Sequence, residues 1–317
     1  MKHRIISFIA ALGMLLAATG FAQEQSADKT MRIYFIGNSV TDTVNYKGLQ
    51  KLAESQGYTH KWGRHMIPGA PIFYMWQGEN GFTEKPYGHA KKALSEFEWD
   101  VVSVQPFDRH IDKGGDQADL YNINEMIKAQ VPKNPGVQFY IMGRWPRIRS
   151  NGKSFKFDKN DYDPNTPGDR PDLSQVDPYA PQWEKEYTGG WDGTNETRDY
   201  FEDLMKAVNE ANPDLKNPVK IVPVGEVMYE LDKKMRAGKV PGFDSIYLFY
   251  KDGIHQNKYG SYLTAVTFYA TIYKESPIGL PSEPYGDLAP AAVKTIQETV
   301  WEVVQAYPHS GVEKEEK

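Results

Sequence analysis

Short apolar runs recur along the chain, separated by longer stretches with helical spacing. Arg32-Ile33-Tyr34-Phe35-Ile36 reads as a strand ending at Gly37, and Leu49 and Leu52 mark the inward stripe of a following helix. Tyr58–Trp62 fits a short second strand. The helical Ala90–Phe97 precedes Asp100–Val104, whose unbroken apolar character suits a parallel strand covered on both faces. A helix closing over Met126–Val131 leads to the strand Val137–Met142. A helix through Tyr200, Leu204 and Val208 stops before Pro213, Lys220–Val224 is a strand, and Val227–Met235 is a helix. Tyr262–Tyr273 and Ala291–Val304 are two closing helices. This alternation predicts an α/β protein, a three-layer α/β/α sandwich around a parallel, flavodoxin-like central sheet.

One stretch has no usable period. From Arg144 to Asn195 the chain is rich in Pro, Gly, Asp and Asn, with Trp145, Trp183, Tyr187 and Trp191 among them. So long an insertion is usually a lid, a binding loop or disordered, and its aromatics argue against disorder. It leaves the end of the strand Val137–Met142, the edge of an open α/β sheet where ligands bind.

The first residues stand apart. Lys2 and Arg4 precede an apolar run from Ile5 to Ala18, with small residues at Gly20 and Ala22, the layout of a cleavable secretory signal peptide over residues 1–22. The run is short for a membrane span. The expected organisation is a polar lead-in from Gln23, a single domain over residues 23–310 carrying the insertion, and a charged tail over 311–317, in a periplasmic or secreted protein without a membrane anchor.

Charge and composition narrow the chemistry. The 317 residues hold 37 basic and 42 acidic side chains, a net charge of −5 that becomes about −7 without the leader. Nucleic acid is therefore a poor partner, since binding it takes a field of excess Lys and Arg. With no cysteine, thiol nucleophiles, disulfides and Cys-based zinc sites are excluded.

Three groups of residues at strand ends and junctions carry candidate chemistry. Gly37-Asn38-Ser39 follows the first strand directly, so that a tight turn presents a serine at the sheet mouth near a helix start. Asp252-Gly253-Ile254-His255 opens the helix through Tyr262, at an expected strand-to-helix junction. A serine hydroxyl needs a base near neutral pKa, and an imidazole needs a carboxylate to fix its tautomer. His255 alone among the histidines after the leader has a carboxylate so placed. The third group is the oxyanion donors: the Ser39 amide, Gly69 on the loop Met66–Ala70, and the Gln105 side chain at the end of the strand Asp100–Val104.

Together these segments resemble the SGNH hydrolase superfamily, the GDSL-like esterases, in a carbohydrate-esterase-like form. That family carries Gly-Asp-Ser near its N-terminus, a glycine and an asparagine as oxyanion donors, and Asp-x-x-His near its C-terminus. Here Gly37-Asn38-Ser39 has Asn for Asp, Gly69 matches the glycine block, Asp252-x-x-His255 matches fully, and Gln105 replaces the asparagine of a Gly-x-Asn-Asp block that is otherwise absent. The resemblance spans about Met31 to Tyr273. It implies Ser39 as nucleophile, His255 as base, Asp252 as its orienter, and no cofactor. The absence of Gly-x-Ser-x-Gly speaks against an α/β-hydrolase elbow.

For the substrate, Arg144, Arg147 and Arg149 bracket Trp145 at the ligand edge of the sheet, and Tyr74 and Trp76 follow Gly69. Aromatic faces stack on sugars and arginine forks hold carboxylate or sulfate. The expectation is an esterase that removes acetyl or other small acyl groups from a polysaccharide or oligosaccharide, acidic ones included, with Arg144, Trp145 and Trp76 binding substrate. A lipase or thioesterase of the same superfamily, or a glycan-binding protein that lost catalysis, are the alternatives. Asp108, His110 and Asp112 alternate as metal ligands can, but read better as a solvated loop.

Overall fold

The computed structural model describes residues 29–313, apart from 108, 159, 167, 169 and 190–195. The expected leader, Asp108, Trp191 and the last four residues of the tail lie outside the described residues.

The first strand, β1 (Thr30–Gly37), is the centre of the molecule. A helix α1 (Tyr46–Ser55) leads to β2 (Thr59–Met66), which pairs with β1 in parallel along its whole length, Thr30 opposite Thr59 and Gly37 opposite Met66. The expected second strand was shorter, because His60, Lys61 and Arg64 break its apolar run. The chain then makes a short helix α2 (Ile72–Gln77) and a two-residue antiparallel strand β3 (Phe82–Thr83) on the outer edge of β2. Neither has enough residues to show a period.

A helix α3 (Ala90–Glu96) crosses to β4 (Val101–Val104), on the other side of β1. A helix α4 (Asp119–Gln130) leads to β5 (Gln138–Met142). After the insertion, α6 (Arg198–Ala211) leads to the last strand, β8 (Lys220–Val222). Pro223 ends β8, and α7 (Val224–Arg236) starts at once, so Val224 is helical rather than part of the strand. Two helices close the chain, α8 (Lys258–Tyr273) and α9 (Pro290–Ala306).

The sheet order is β3-β2-β1-β4-β5-β8, with every pair parallel except β3 on β2. Counting only the parallel strands, the order is 2-1-3-4-5, the flavodoxin-like arrangement. Helices α1, α7, α8 and α9 pack together in one layer, and α2, α3, α4 and α6 in the other. Helix α8 is buried on nearly all sides, as a helix without a polar face must be. The direction in which strands are added across the sheet reverses between β1 and β4, and at such a switch point the crevice outside the strand ends receives ligands. Ser39 follows β1 and Gln105 follows β4, so both stand at that crevice.

The insertion is neither structureless nor detached. It contains a hairpin, β6 (Arg149–Ser150) with β7 (Lys153–Ser154), and a short helix α5 (Tyr179–Trp183). Trp145, Phe157, Tyr179 and Trp183 are buried and belong to the same hydrophobic core as the sheet.

Candidate active site

The loop after β1 is shaped by close packing. Gly37 has an ordinary negative φ, so a left-handed turn does not explain it. A Cβ there would strike the Thr41 hydroxyl and come within 2.8 Å of the Gln105 Cβ. Asn38 is buried and holds the next turn in three directions. Its N–H donates to Gln105 Oε1 (3.1 Å), its Oδ1 accepts from the Val40 N–H (3.0 Å), and its Nδ2 donates to the Ala70 carbonyl (3.3 Å). Ser39 is left at the rim, half-buried, with no partner for its N–H among the described residues.

The second half of the site is a turn between a 3-10 segment, Ile246–Phe249, and α8. No strand leads into it, which corrects the expected strand-to-helix junction. Tyr250 bridges to Gln256, and the Lys251 N–H donates to the His255 carbonyl (2.7 Å). Asn257 caps α8 with its side-chain oxygen and donates from Nδ2 to the Leu248 carbonyl (2.7 Å). Both ends of the turn are therefore fixed.

The Asp252 carboxylate accepts only. Its Oδ1 takes the N–H of Ile254 (2.8 Å) and of His255 (2.9 Å), and its Oδ2 lies 2.8 Å from His255 Nδ1. Since an ionised carboxylate has no proton to give, the His255 proton sits on Nδ1 and Nε2 is left to accept. Ser39 Oγ stands 2.8 Å from that Nε2, across 216 positions of sequence. Partial burial pushes the Asp252 carboxyl up, but the two backbone N–H groups and the His255 ring outweigh it and hold it below the usual carboxylate range. The His255 and Asp252 side chains are 39% and 38% exposed, so substrate can reach them.

Gly69 lies on the exposed loop after β2 with a left-handed φ of 67°. The loop is tied to the Ser39 loop by the Ile67 N–H on the Gly37 carbonyl (3.4 Å) and by Asn38 Nδ2 on Ala70. No described residue takes up the Gly69 N–H. The Ser39 and Gly69 amides are thus the two open backbone donors on the loops flanking the serine hydroxyl.

Gln105 departs from its expected place. It is fully buried; its Oε1 accepts from the Asn38 N–H and the Thr41 hydroxyl (both 3.1 Å), and its Nε2 donates to the Pro106 carbonyl (2.7 Å). It braces the serine loop from beneath instead of pointing at a ligand. The longer arm of glutamine carries its amide past the mouth of the site.

The three expected substrate-binding residues are also corrected. Trp145 is 0% exposed, and its Nε1 donates to the Ile254 carbonyl (2.6 Å). Arg144 is 0% exposed; it reaches Glu196 (3.2 Å) and donates to the Trp145 carbonyl (2.9 Å). Trp76, on α2, is 8% exposed and belongs to the core. Apolar and planar side chains at a sheet edge serve burial as well as they serve a ligand, and sequence does not distinguish the two. Arg147 binds the same Glu196 (2.6 Å), whose carboxyl is pushed up by burial but held below its usual range by Arg144 and Arg147. Two of the three arginines expected to read an acidic substrate thus share Glu196, while Arg149 donates to the Gly152 carbonyl (3.1 Å). Among the described residues, no group of acids and histidines is placed to hold a metal.

The insertion supplies what the pattern did not suggest, a clamp on the His255 turn. The Asn160 N–H donates to the Lys251 carbonyl (3.2 Å), the Ile148 N–H to the Gly253 carbonyl (2.8 Å), and Trp145 Nε1 to the Ile254 carbonyl. Asn160 Nδ2 also donates to the Tyr250 carbonyl (2.6 Å). Gly253 fits so tightly below this clamp that a Cβ would come within 2.6 Å of the Phe155 carbonyl oxygen. The Gly between Asp252 and His255 was the one readable sign of that contact.

No family model matches the chain, and no curated protein matches it. Among solved structures, a DUF4886 family protein from Bacteroides uniformis is similar with a TM-score of 0.50 and 18% identity, over 88% of this chain and 96% of that one. A GDSL-like lipase from Bacteroides thetaiotaomicron reaches a TM-score of 0.31 and 12% identity over 77% of this chain and 88% of its own, too little to weigh. The first likeness places the α/β/α fold in a solved structure, and at that identity it speaks for the fold alone.

Proposed function

We propose that this chain is an exported serine ester hydrolase of the SGNH kind, removing acetyl or another small acyl group from a carbohydrate. The observation that carries the reading is the unbroken hydrogen-bond chain from Ser39 through His255 to Asp252. Ser39 Oγ attacks the ester carbonyl while its proton passes to His255 Nε2. The carbonyl oxygen becomes an oxyanion, and that no described residue takes up the Ser39 and Gly69 N–H groups supports reading them as its donors. Collapse expels the alcohol, which takes the proton back from His255, and leaves an acyl-serine. Water then gives its proton to His255, attacks the acyl carbon and releases the carboxylic acid, restoring Ser39. Asp252 stabilises the imidazolium that forms in each half.

Export rests on the leader read over residues 1–22. Among the described residues no helix is long and apolar enough to cross a membrane. A small acyl group is favoured by the open setting of the triad, with both His255 and Asp252 in contact with solvent. Of the three arginines that suggested an acidic sugar, Arg144 and Arg147 are both paired with Glu196, which leaves only Arg149 to support it. The test is hydrolysis of p-nitrophenyl esters of increasing chain length by the purified chain. Activity highest on acetate and lost in Ser39→Ala is the expected result. A rate that climbs from acetyl to octanoyl would replace the deacetylase by a lipase or thioesterase.

A further inference from the structure

Beside the His255 turn, on the side of α1 and α8, the surface opens into a cleft of about 620 Å³. That is within the size of small-molecule sites, roughly 300–1,000 Å³. Its walls come from four segments, Pro284 and Tyr285 forming one and the others including neighbours of the triad in sequence. Asn45 ends the turn that follows Ser39; Lys251 and Gln256 flank Asp252 and His255 on either side; and Tyr162 to Thr166 belong to the insertion. Resting on the esterase reading above, we propose that this cleft is a binding site for a neutral, hydroxyl-rich saccharide, the alcohol part of the ester.

The polar groups facing the cleft have unspent capacity of both kinds. Asn45 Oδ1 is taken by the Gly48 N–H as the cap of α1, which leaves its NH₂ to donate. Ser261 donates its hydroxyl proton to the Thr43 carbonyl (2.5 Å), which leaves its oxygen to accept. Thr166 and Lys251 are exposed, and no described residue bonds their side chains. A sugar hydroxyl both donates and accepts, so it can satisfy such a mixed set. The two tyrosines lining the cleft have already spent their hydroxyls, Tyr162 on the Gly242 carbonyl (2.6 Å) and Tyr285 on the Val44 carbonyl (3.1 Å). Of the two, Tyr285 is 7% exposed and packs the wall, while the half-buried Tyr162 offers ring surface, which suits the C–H face of a pyranose.

Charge and polarity exclude the other ligand classes. Asp161 and Asp163 balance Lys251 and Lys258, and Lys258 is already ion-paired to Asp163, so no excess positive field calls for a phosphate or uronate. A fatty acyl chain would cover Asn45, Thr166, Lys251 and Ser261 and leave them without water, at a cost for each unpaired polar group.

The experiment titrates the full-length Ser39→Ala chain by calorimetry with cellotetraose, xylotetraose and mannotetraose, with tetragalacturonate and octanoate as controls. Wild-type hydrolysis of p-nitrophenyl acetate is measured in parallel. The expected result is that at least one neutral tetrasaccharide binds and the two controls do not. Adding Thr166→Trp, an exposed position whose new ring fills the cleft, should weaken that binding at least tenfold. Lys251→Leu is the second variant if Thr166→Trp lowers the melting temperature, with at least threefold weaker binding expected. Failure of every neutral saccharide to bind, equal binding after the cleft is altered, or preference for tetragalacturonate or octanoate overturns the inference. Turnover of p-nitrophenyl acetate without saccharide binding overturns the cleft and leaves the esterase. Saccharide binding by a chain inactive on every ester supports the cleft and overturns the esterase.

Discussion

Asp252 and His255 form the part of the site that depends least on the rest of the molecule. A spacing of three within one turn lets a single carboxylate take two backbone N–H groups and the imidazole Nδ1 together, which is why this pair was legible in sequence. Asp252→Asn would put an amide beside Nδ1 and free the ring to adopt the other tautomer. Turnover of p-nitrophenyl acetate should fall by about 10⁴-fold, with the fold unchanged by circular dichroism. Gln105 and Trp145 were legible as special but not for what they do. An amide or an indole at a strand end carries the same letters whether it faces a ligand or a neighbouring carbonyl. Gly253 tests the close approach directly. Gly253→Ala must push the Phe155 carbonyl aside, and a lower melting temperature together with at least tenfold slower turnover is expected.

The insertion is the element whose role sequence left open. Its aromatics predicted order, and the structure agrees for those described: Trp145 and Trp183 are in the core and Tyr187 packs against it. Its contact with the His255 turn left no sign in sequence beyond Gly253, because two of the four bonds are wholly backbone and all four end on backbone carbonyls, groups that every residue possesses. Trp145 acts through Ile254 and is a positioning residue. Trp145→Phe keeps most of the volume and removes the indole N–H, so that the partly buried Ile254 carbonyl loses that donor. The expected outcome is a drop in kcat of about tenfold on p-nitrophenyl acetate with KM little changed. A purely structural role would lower the melting temperature and leave kcat per folded molecule intact.

For the whole molecule, alternation of strands and helices was enough to predict the α/β/α class, and the strand ends were placed to within a few residues. The expected flavodoxin-like order is the one the parallel strands adopt, but nothing in the alternation shows where β3 attaches, since that depends on pairing between distant segments. The order brings the ends of β1 and β4 to one crevice, and α8 delivers His255 there from the other end of the chain. The same packing creates an acid sensitivity far from the site. His60 on β2 is buried against the Tyr273 hydroxyl (2.5 Å), and burial pulls its pKa from the ordinary 6.5 down to about 4. The unfolded chain takes up that proton as pH falls through 6.5, while the folded chain resists until about pH 4. Stability is therefore full above pH 6.5 and declines across that window, by roughly 3 kcal/mol in all. Chemical denaturation at pH 7, 6 and 5 should show the decline, and His60→Asn should flatten it. An equally steep slope in that variant would assign the sensitivity elsewhere.

The central claim is that Ser39 is a nucleophile because His255 takes its proton. The most direct measurement is reaction of the full-length chain with an activated fluorophosphonate, followed by peptide mass spectrometry. The account predicts one stoichiometric adduct, on Ser39, formed far more slowly when His255 is replaced by alanine. An adduct on another residue, no adduct at all, or equal labelling without His255 would contradict it.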